Sequence, residues 1–287
     1  MISKSYRHVL PVLALAALLP ARALAAGDTQ FVRVAADGDE RPVALQMAIA
    51  SYAPRGGNRQ ARVDLVSAIH IGDQAYYRQL NERFKTYDAL LYELIAARDA
   101  VVAPGDSDRR GIVSSTQVMM KNALDLSFQL DEIDYGAGNF VHADLSPDEL
   151  SQSMDERGES LYVYFWRLFY ASVNQYAKDP LGLKDMQNVT AALQSNSDNA
   201  LKVMLAYEMT DLETMREIFG EDADSAVIGA RNQRAVDVLK SQLAAGKKRI
   251  AIFYGVAHMP DLEDRLIEQL DFEYLESTWI DAWRLND

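Results

Sequence analysis

Two stretches of the chain share one pattern: VDLVSAIHIGDQAYYRQLNERF, residues 63–84, and IAIFYGVAHMPDLEDRLIEQL, residues 250–270. Each begins with an apolar run typical of a buried strand and reaches a histidine three residues after a small residue. These pairs are Ser67 with His70 and Gly255 with His258. Acidic residues then begin a segment with apolar side chains every third or fourth position, as in a helix that buries one face. The sequence therefore predicts two strand–loop–helix repeats.

The neighbouring segments extend this pattern into a sheet. A second apolar run, residues 89–94, follows the first helix and carries the acidic Glu93 near its end. Strand, helix and strand with short loops indicate a parallel βαβ unit, so we expect the strand of Glu93 beside that of His70. Further strands are predicted at residues 31–35, 42–52, 249–254 and 274–280, and a helix at 226–245.

The middle of the chain has mostly helical spacing, and a capping box begins at Ser146. Seven aromatic residues lie within residues 161–176, a stripe more typical of a core than of a partner surface. The fold class predicted is α/β (α+β), with a central mixed sheet built from the two repeats. A largely helical insertion, roughly residues 110–245, separates them.

Composition excludes several classes of function. The 287 residues contain no cysteine, which rules out disulfides, zinc–thiolate sites and cysteine nucleophiles. A net charge of −13 argues against nucleic acid as a partner, because phosphate recognition needs a basic face. Serine-hydrolase, P-loop and dinucleotide fingerprints are absent from the sequence. What remains is an acidic globular protein whose chemistry must come from His, Asp, Glu, Ser, Tyr, Lys or Arg side chains.

The first 25 residues have the layout of a secretory signal peptide. Basic residues precede an apolar run at 9–19, and ALA at 23–25 is a small-x-small cleavage pattern. The run is shorter than the roughly 20 residues of a membrane span, although an uncleaved anchor is the alternative. We expect cleavage to leave one domain, residues 26–287, exported to the periplasm or secreted, without a stable membrane span.

The repeated histidines predict a metal site. Both follow the carboxyl end of a strand, where open α/β sheets place their ligand sites. Two neutral imidazoles with one carboxylate suit Zn, Mn, Co or Fe, and Glu93 is the natural carboxylate. Glu276 and Asp73 are spare acidic residues nearby in the pattern. His142, in the segment FVHADL, has no counterpart in the repeat and is interpreted as structural.

These motifs resemble the TraB/PrgY/GumN family, which is related to the TIKI metalloproteases and more distantly to ChaN-like and erythromycin-esterase-like proteins. The family pattern of G-x-x-H, a strand-ending Glu, a late Arg and a second G-x-x-H is met here by SAIH, LLYEL, GARNQRAV and GVAH. FVHADLSPDEL resembles the middle segment of the family. Two positions depart from it: Ser67 replaces the usual Gly, and Ala230 precedes Arg231 where an acidic residue is common. The second departure removes one expected partner of the arginine.

The resemblance implies a divalent-metal hydrolase with peptidase character, with a peptide or small molecule as its substrate and Mn, Co or Zn as the metal. His70 and His258 would hold the cation, Glu93 would ligate it or take a proton, and Arg231 would orient Glu93 or stabilise an oxyanion. Two alternatives stay open: a binding protein that holds haem through a histidine, as a ChaN-like relative would, and a regulatory protein that sequesters a peptide.

Overall fold

The computed structural model describes residues 29–56, 60–96, 126–159, 200–210 and 225–286. The predicted signal peptide and the aromatic stripe at 161–176 lie outside these residues. Among the helices of the described ranges, none has the length and apolar character needed to cross a membrane.

Strands and helices of the described residues follow the predicted order closely. The strands are β1 (Val32–Ala36), β2 (Pro42–Pro54), β3 (Arg62–Ala68), β4 (Ile71–Gly72), β5 (Ala89–Tyr92), β6 (Ser127–Phe128), β7 (Phe140–His142), β8 (Arg249–Gly255) and β9 (Phe272–Arg284). The α-helices are α1 (Gln74–Phe84), α2 (Gln129–Glu132), α3 (Pro147–Glu156), α4 (Ala200–Glu208), α5 (Arg231–Ala244) and α6 (Met259–Leu270). A π-helical turn, Ala226–Ala230, leads into α5, and a 3-10 turn, Val256–His258, leads into α6.

A seven-stranded mixed sheet forms the centre of the molecule, as the fold class predicted. Its order is β1-β2-β3-β8-β5-β7, and β9 pairs with β2. β3, β8, β5 and β7 run parallel to one another, whereas β1, β3 and β9 each pair with β2 in the antiparallel direction. The four parallel strands bring their carboxyl ends to one edge of the sheet.

The long strand β2 joins the two halves of the chain. It pairs with β1 over its first residues and with β3 further along. β9 runs antiparallel to β2, from the pair of Ala44 with Arg284 to the pair of Pro54 with Phe272. Trp283 of β9 is fully buried, and its indole N–H donates to the carbonyl of Ile71 at 2.8 Å. The carboxyl-terminal strand is therefore part of the core.

One prediction about this sheet is wrong. Glu93 does not follow a strand beside that of His70, because β8 lies between β3 and β5. Residue spacing reports the type of each element but not the order of strands in space. The middle segment, predicted to be largely helical, also contributes a short strand: residues 140–142 form β7, parallel to β5 at the end of the sheet.

The helix α1 packs as its spacing predicted. Its buried side chains include Tyr76, Leu80 and Phe84, and the Phe84 ring lies 4.9 Å from that of Phe253 on β8. The Tyr76 hydroxyl donates to the carbonyl of Ser67 at 2.9 Å, which ties the helix to the end of β3. The first repeat is thus held rigidly where its strand ends.

Candidate functional site

The candidate site lies beyond the carboxyl ends of β3, β8 and β5. Ala68 pairs with Gly255 across β3 and β8, and Tyr92 pairs with Phe253 across β5 and β8. The residues that follow these strand ends therefore meet at one edge of the sheet. Glu93 follows β5 directly, and its backbone N–H donates to the carbonyl of Phe253 at 3.2 Å.

Arg231 is the centre of the polar network at this edge. It opens α5 after the π-helical turn, and its side chain is 6% exposed. Nη2 donates to Glu93 Oε1 at 2.7 Å, and Nη1 lies 3.3 Å from His258 Nε2. One guanidinium thus contacts both the carboxylate and the imidazole that the sequence singled out.

Asp144 is the functional residue that the sequence reasoning missed. Its carboxylate is fully buried and accepts two hydrogen bonds from Arg231, from Nε at 2.9 Å and from Nη2 at 2.6 Å. This forked pairing fixes the guanidinium plane as well as its charge. Asp144 therefore gives Arg231 an acidic partner, which the neighbouring Ala230 cannot. The signal was present in the FVHADL segment, two residues after His142, whose strand β7 places the acid at the sheet edge.

Glu93 is held as a carboxylate. Its Oε2 accepts a 2.6 Å hydrogen bond from the backbone N–H of Gly255. Burial alone would raise the pKa of Glu93, but the charge of Arg231, then the two histidines and the Gly255 N–H, hold that pKa well below its usual range. Glycine at position 255 leaves room for this close approach, since a Cβ there would lie 3.3 Å from Glu93 Oε2.

His258 is buried as a neutral imidazole. Burial lowers the pKa of His258 to about 4, against the opposing attraction of Glu93. Nδ1 lies 2.7 Å from the Asn232 side-chain oxygen, which can only accept, so Nδ1 carries the proton. Nε2 therefore presents its lone pair toward Arg231 and toward Glu93 Oε1, which is 3.6 Å away.

A second layer of polar contacts holds this imidazole in place. The Asn232 amide donates to the carbonyl of His258 at 3.1 Å and to Asp261 Oδ2 at 2.7 Å. Arg265 Nε donates to the same carboxylate oxygen at 2.6 Å. Asn232 is on α5, whereas Asp261 and Arg265 are on α6. These contacts therefore hold the two helices together around His258.

His70 does not join this network directly. Its ring is exposed and makes no hydrogen bond or ion pair with any residue in the described part of the chain, whereas its backbone carbonyl accepts from the Gln129 N–H at 2.9 Å. It lies close enough to Glu93 to contribute to the lowered pKa of that carboxyl. The two repeats are therefore not equivalent: one histidine is buried and oriented, and the other faces solvent.

The remaining candidates lie elsewhere. Ser67 is buried beside the His70 loop, and its hydroxyl has no hydrogen-bond partner among the described residues. The His142 ring contacts the carbonyl of Leu94 at 2.7 Å and packs on Tyr92, as a structural residue would. Asp73 is paired with Lys202 at 3.2 Å, away from the network.

A divalent cation fits the donor chemistry of this edge. To ligate a metal a histidine must be neutral and a carboxyl group must be ionised, and His258 and Glu93 are in those states. Asn232 orients His258 through the other ring nitrogen, as partners of metal-binding histidines do. Within the described ranges no three His, Asp or Glu side chains are already gathered as a group that could hold a metal ion. Arg231 contacts both donor atoms, so a cation would compete with its guanidinium for them.

Comparisons with protein-family models, with curated proteins and with solved structures find no match for this chain. The site geometry is therefore the main support for a function.

Proposed function

We propose that the chain is an exported hydrolase that uses a divalent cation to cleave peptide bonds at this sheet edge. The observation that supports the proposal most is the placement of Arg231, which Asp144 holds against both Glu93 and His258. The resemblance of the motifs to the TraB/PrgY/GumN family points in the same direction.

The state of each side chain suggests its function. His258 and Glu93 would hold the cation, and the exposed His70 would be the third ligand. A general base works best with a pKa near the working pH, whereas the pKa of Glu93 is held far below it. We therefore assign Glu93 as a ligand and not as the base.

Arg231 has a function that its neighbours define. Burial opposes its charge, but Glu93 and then Asp144 raise the pKa of Arg231, so it is a permanent cation. Fixed donors aimed at a developing negative charge lower the barrier of acyl transfer. Arg231 would stabilise the oxygen of the cleaved carbonyl. When bound, the metal would supply Lewis acidity, lowering the pKa of water and polarising that carbonyl.

The proposal is tested by peptide cleavage. Purified protein is stripped with a chelator, supplied with Mn, Co or Zn, and incubated with a mixture of peptides that is analysed by mass spectrometry. We expect cleavage that requires the cation and that is lost in Glu93→Gln. A His142→Ala variant is the matched control and should remain active. No cleavage with any of the metals, or equal cleavage by Glu93→Gln, would contradict the proposal.

A further inference from the structure

A cavity lies at the end of the parallel strands opposite the candidate site, where β3 and β8 begin. Its volume is about 460 Å³, within the range of small-ligand sites. Arg62, Arg83 and Arg249 line it, together with Asp64, Tyr87 and Glu276. We call this cavity the arginine pocket. It shares no residue with the candidate site, and its interpretation does not depend on the proposed function.

Asp64 is the anchor of the arginine pocket. It is 2% exposed, and Oδ1 accepts from the Ser51 hydroxyl at 2.6 Å and from Arg62 Nε at 3.3 Å. Oδ2 accepts from the Tyr87 hydroxyl at 2.7 Å and lies 3.6 Å from Arg83 Nη2. A buried carboxylate is stable only when paired in this way. Its oxygens are used inside the protein, so Asp64 orients two guanidinium groups and exposes almost no charge to a ligand.

The guanidinium groups keep donors for a ligand. Arg62 and Arg83 have side chains 41% and 39% exposed, and each carries five N–H groups. Arg62 also donates through Nη2 to Glu276 at 2.7 Å. Arg249 is exposed, and its guanidinium makes no hydrogen bond or ion pair with the residues that the structure describes. Arg83 donates through Nε to the Tyr87 hydroxyl at 3.3 Å, so the free donors are those of Arg249 and of the exposed parts of Arg62 and Arg83.

The charge of the arginine pocket opposes that of the chain. Three arginines face two carboxylates there, whereas the whole chain carries 42 acidic and 29 basic residues. Lys247 and Lys248 directly precede Arg249 and extend the basic surface at this edge. A cavity with surplus positive charge and forked donors favours an oxyanion over a cation or an apolar ligand.

We propose that the arginine pocket binds a small ligand through a phosphate group, either free phosphate or a phosphomonoester. Guanidinium groups match the oxygens of phosphate in pairs, and a phosphate offers enough acceptors for more than one arginine. Arg249 contributes its full set of donors, while Arg62 and Arg83 are held ready by Asp64. The rest of the cavity leaves room for an organic group.

Calorimetric titration of the purified protein tests this site. Inorganic phosphate and glycerol 3-phosphate are titrated separately at constant ionic strength against a chloride blank. We expect saturable binding that Arg249→Gln weakens by about tenfold or more, because one set of charge-assisted donors is lost. Arg249 makes no internal ion pair with the described residues, so this variant should fold normally, which a thermal melt verifies.

Lys85→Gln is the matched control, since that ammonium pairs with the exposed Glu82 at 2.6 Å and does not line the cavity. Its phosphate affinity should equal that of the wild type. Tighter binding of glycerol 3-phosphate would identify an esterified ligand, and tighter binding of inorganic phosphate would identify the free anion. No binding up to about 10 mM, or equal affinity of Arg249→Gln and wild type, would overturn the proposal.

Discussion

At the scale of single residues, the buried pair of Asp144 and Arg231 determines whether the site is ordered. Asp144→Asn keeps the shape of the side chain but leaves Arg231 with Glu93 as its charged partner. Hydrogen bonds to charged groups contribute about 1.5–3 kcal/mol each, so we expect the free energy of unfolding to fall by about 2–3 kcal/mol. Urea denaturation at neutral pH measures this loss. Asp155→Asn, at an exposed position of α3, is the control. Equal stability of the two variants would contradict the role given to Asp144.

His258 makes stability depend on pH. Its pKa is lowered to about 4 in the folded protein, from 6.5 for an exposed histidine. Between these values the unfolded chain binds a proton that the folded chain does not, so acidification favours unfolding. We expect the free energy of unfolding to fall by about 2 kcal/mol between about pH 7 and about pH 5 from this residue.

Urea denaturation at several pH values, compared between His258→Asn and wild type, tests this dependence. The variant should lose the part of the slope that His258 contributes. His142→Asn should retain it, because that ring lies outside the Arg231 network. The folded pKa of Glu93 is also lowered, so its protonation at more acidic pH lowers the free energy of unfolding as well. The pH range of the measurement lies above the range where that protonation begins. A full slope in His258→Asn would show that another group is responsible.

At the scale of elements, the end of β8 supplies a backbone donor to the site. Gly255 has φ −53° and ψ 143°, which alanine can adopt, so glycine is not required by the backbone conformation. The constraint is space, because a Cβ would lie 3.3 Å from Glu93 Oε2. We expect Gly255→Ala to displace Glu93 and to lower the free energy of unfolding by about 1–2 kcal/mol through the weakened hydrogen bond.

Thermal and urea denaturation of Gly255→Ala measure this effect. Gly38→Ala is the matched control, since a Cβ there meets no atom within 4 Å. If both variants unfold alike, the close approach of strand and carboxylate does not constrain the site.

The sequence predicted the positions of individual strands and helices better than their arrangement in space. The apolar runs and the helical spacing located β3, α1, β5, β8 and α6, because each pattern reflects burial of one element against the core. Strand order was not accessible in this way: β8 enters between β3 and β5 from more than 150 residues away. The same long-range placement hid Asp144, which reaches Arg231 across 87 positions of the chain. The exposure of His70 and the burial of His258 depend on tertiary packing, which the shared sequence pattern does not predict.

At the scale of the whole molecule, β9 closes the sheet by pairing with β2. It spans 13 residues, and Trp283 near its end and Leu285 directly after it are fully buried. We expect a chain ending at Leu270 to lose cooperative unfolding and to bind hydrophobic dyes, because one edge of β2 and the core beneath it are exposed. Removal of residues 286–287 alone is the control and should leave the melt unchanged. A cooperative melt of the shorter chain would mean that β9 is dispensable.

The most direct test of the account is the metal stoichiometry of the purified protein after loading with Mn, Co or Zn. We predict about one cation per chain, and a loss of affinity of about 100-fold in His258→Ala and Glu93→Gln, since each removes a ligand. His142→Ala should bind as the wild type does. Absence of stoichiometric metal in the wild type, or unchanged binding by His258→Ala, would contradict the proposed site.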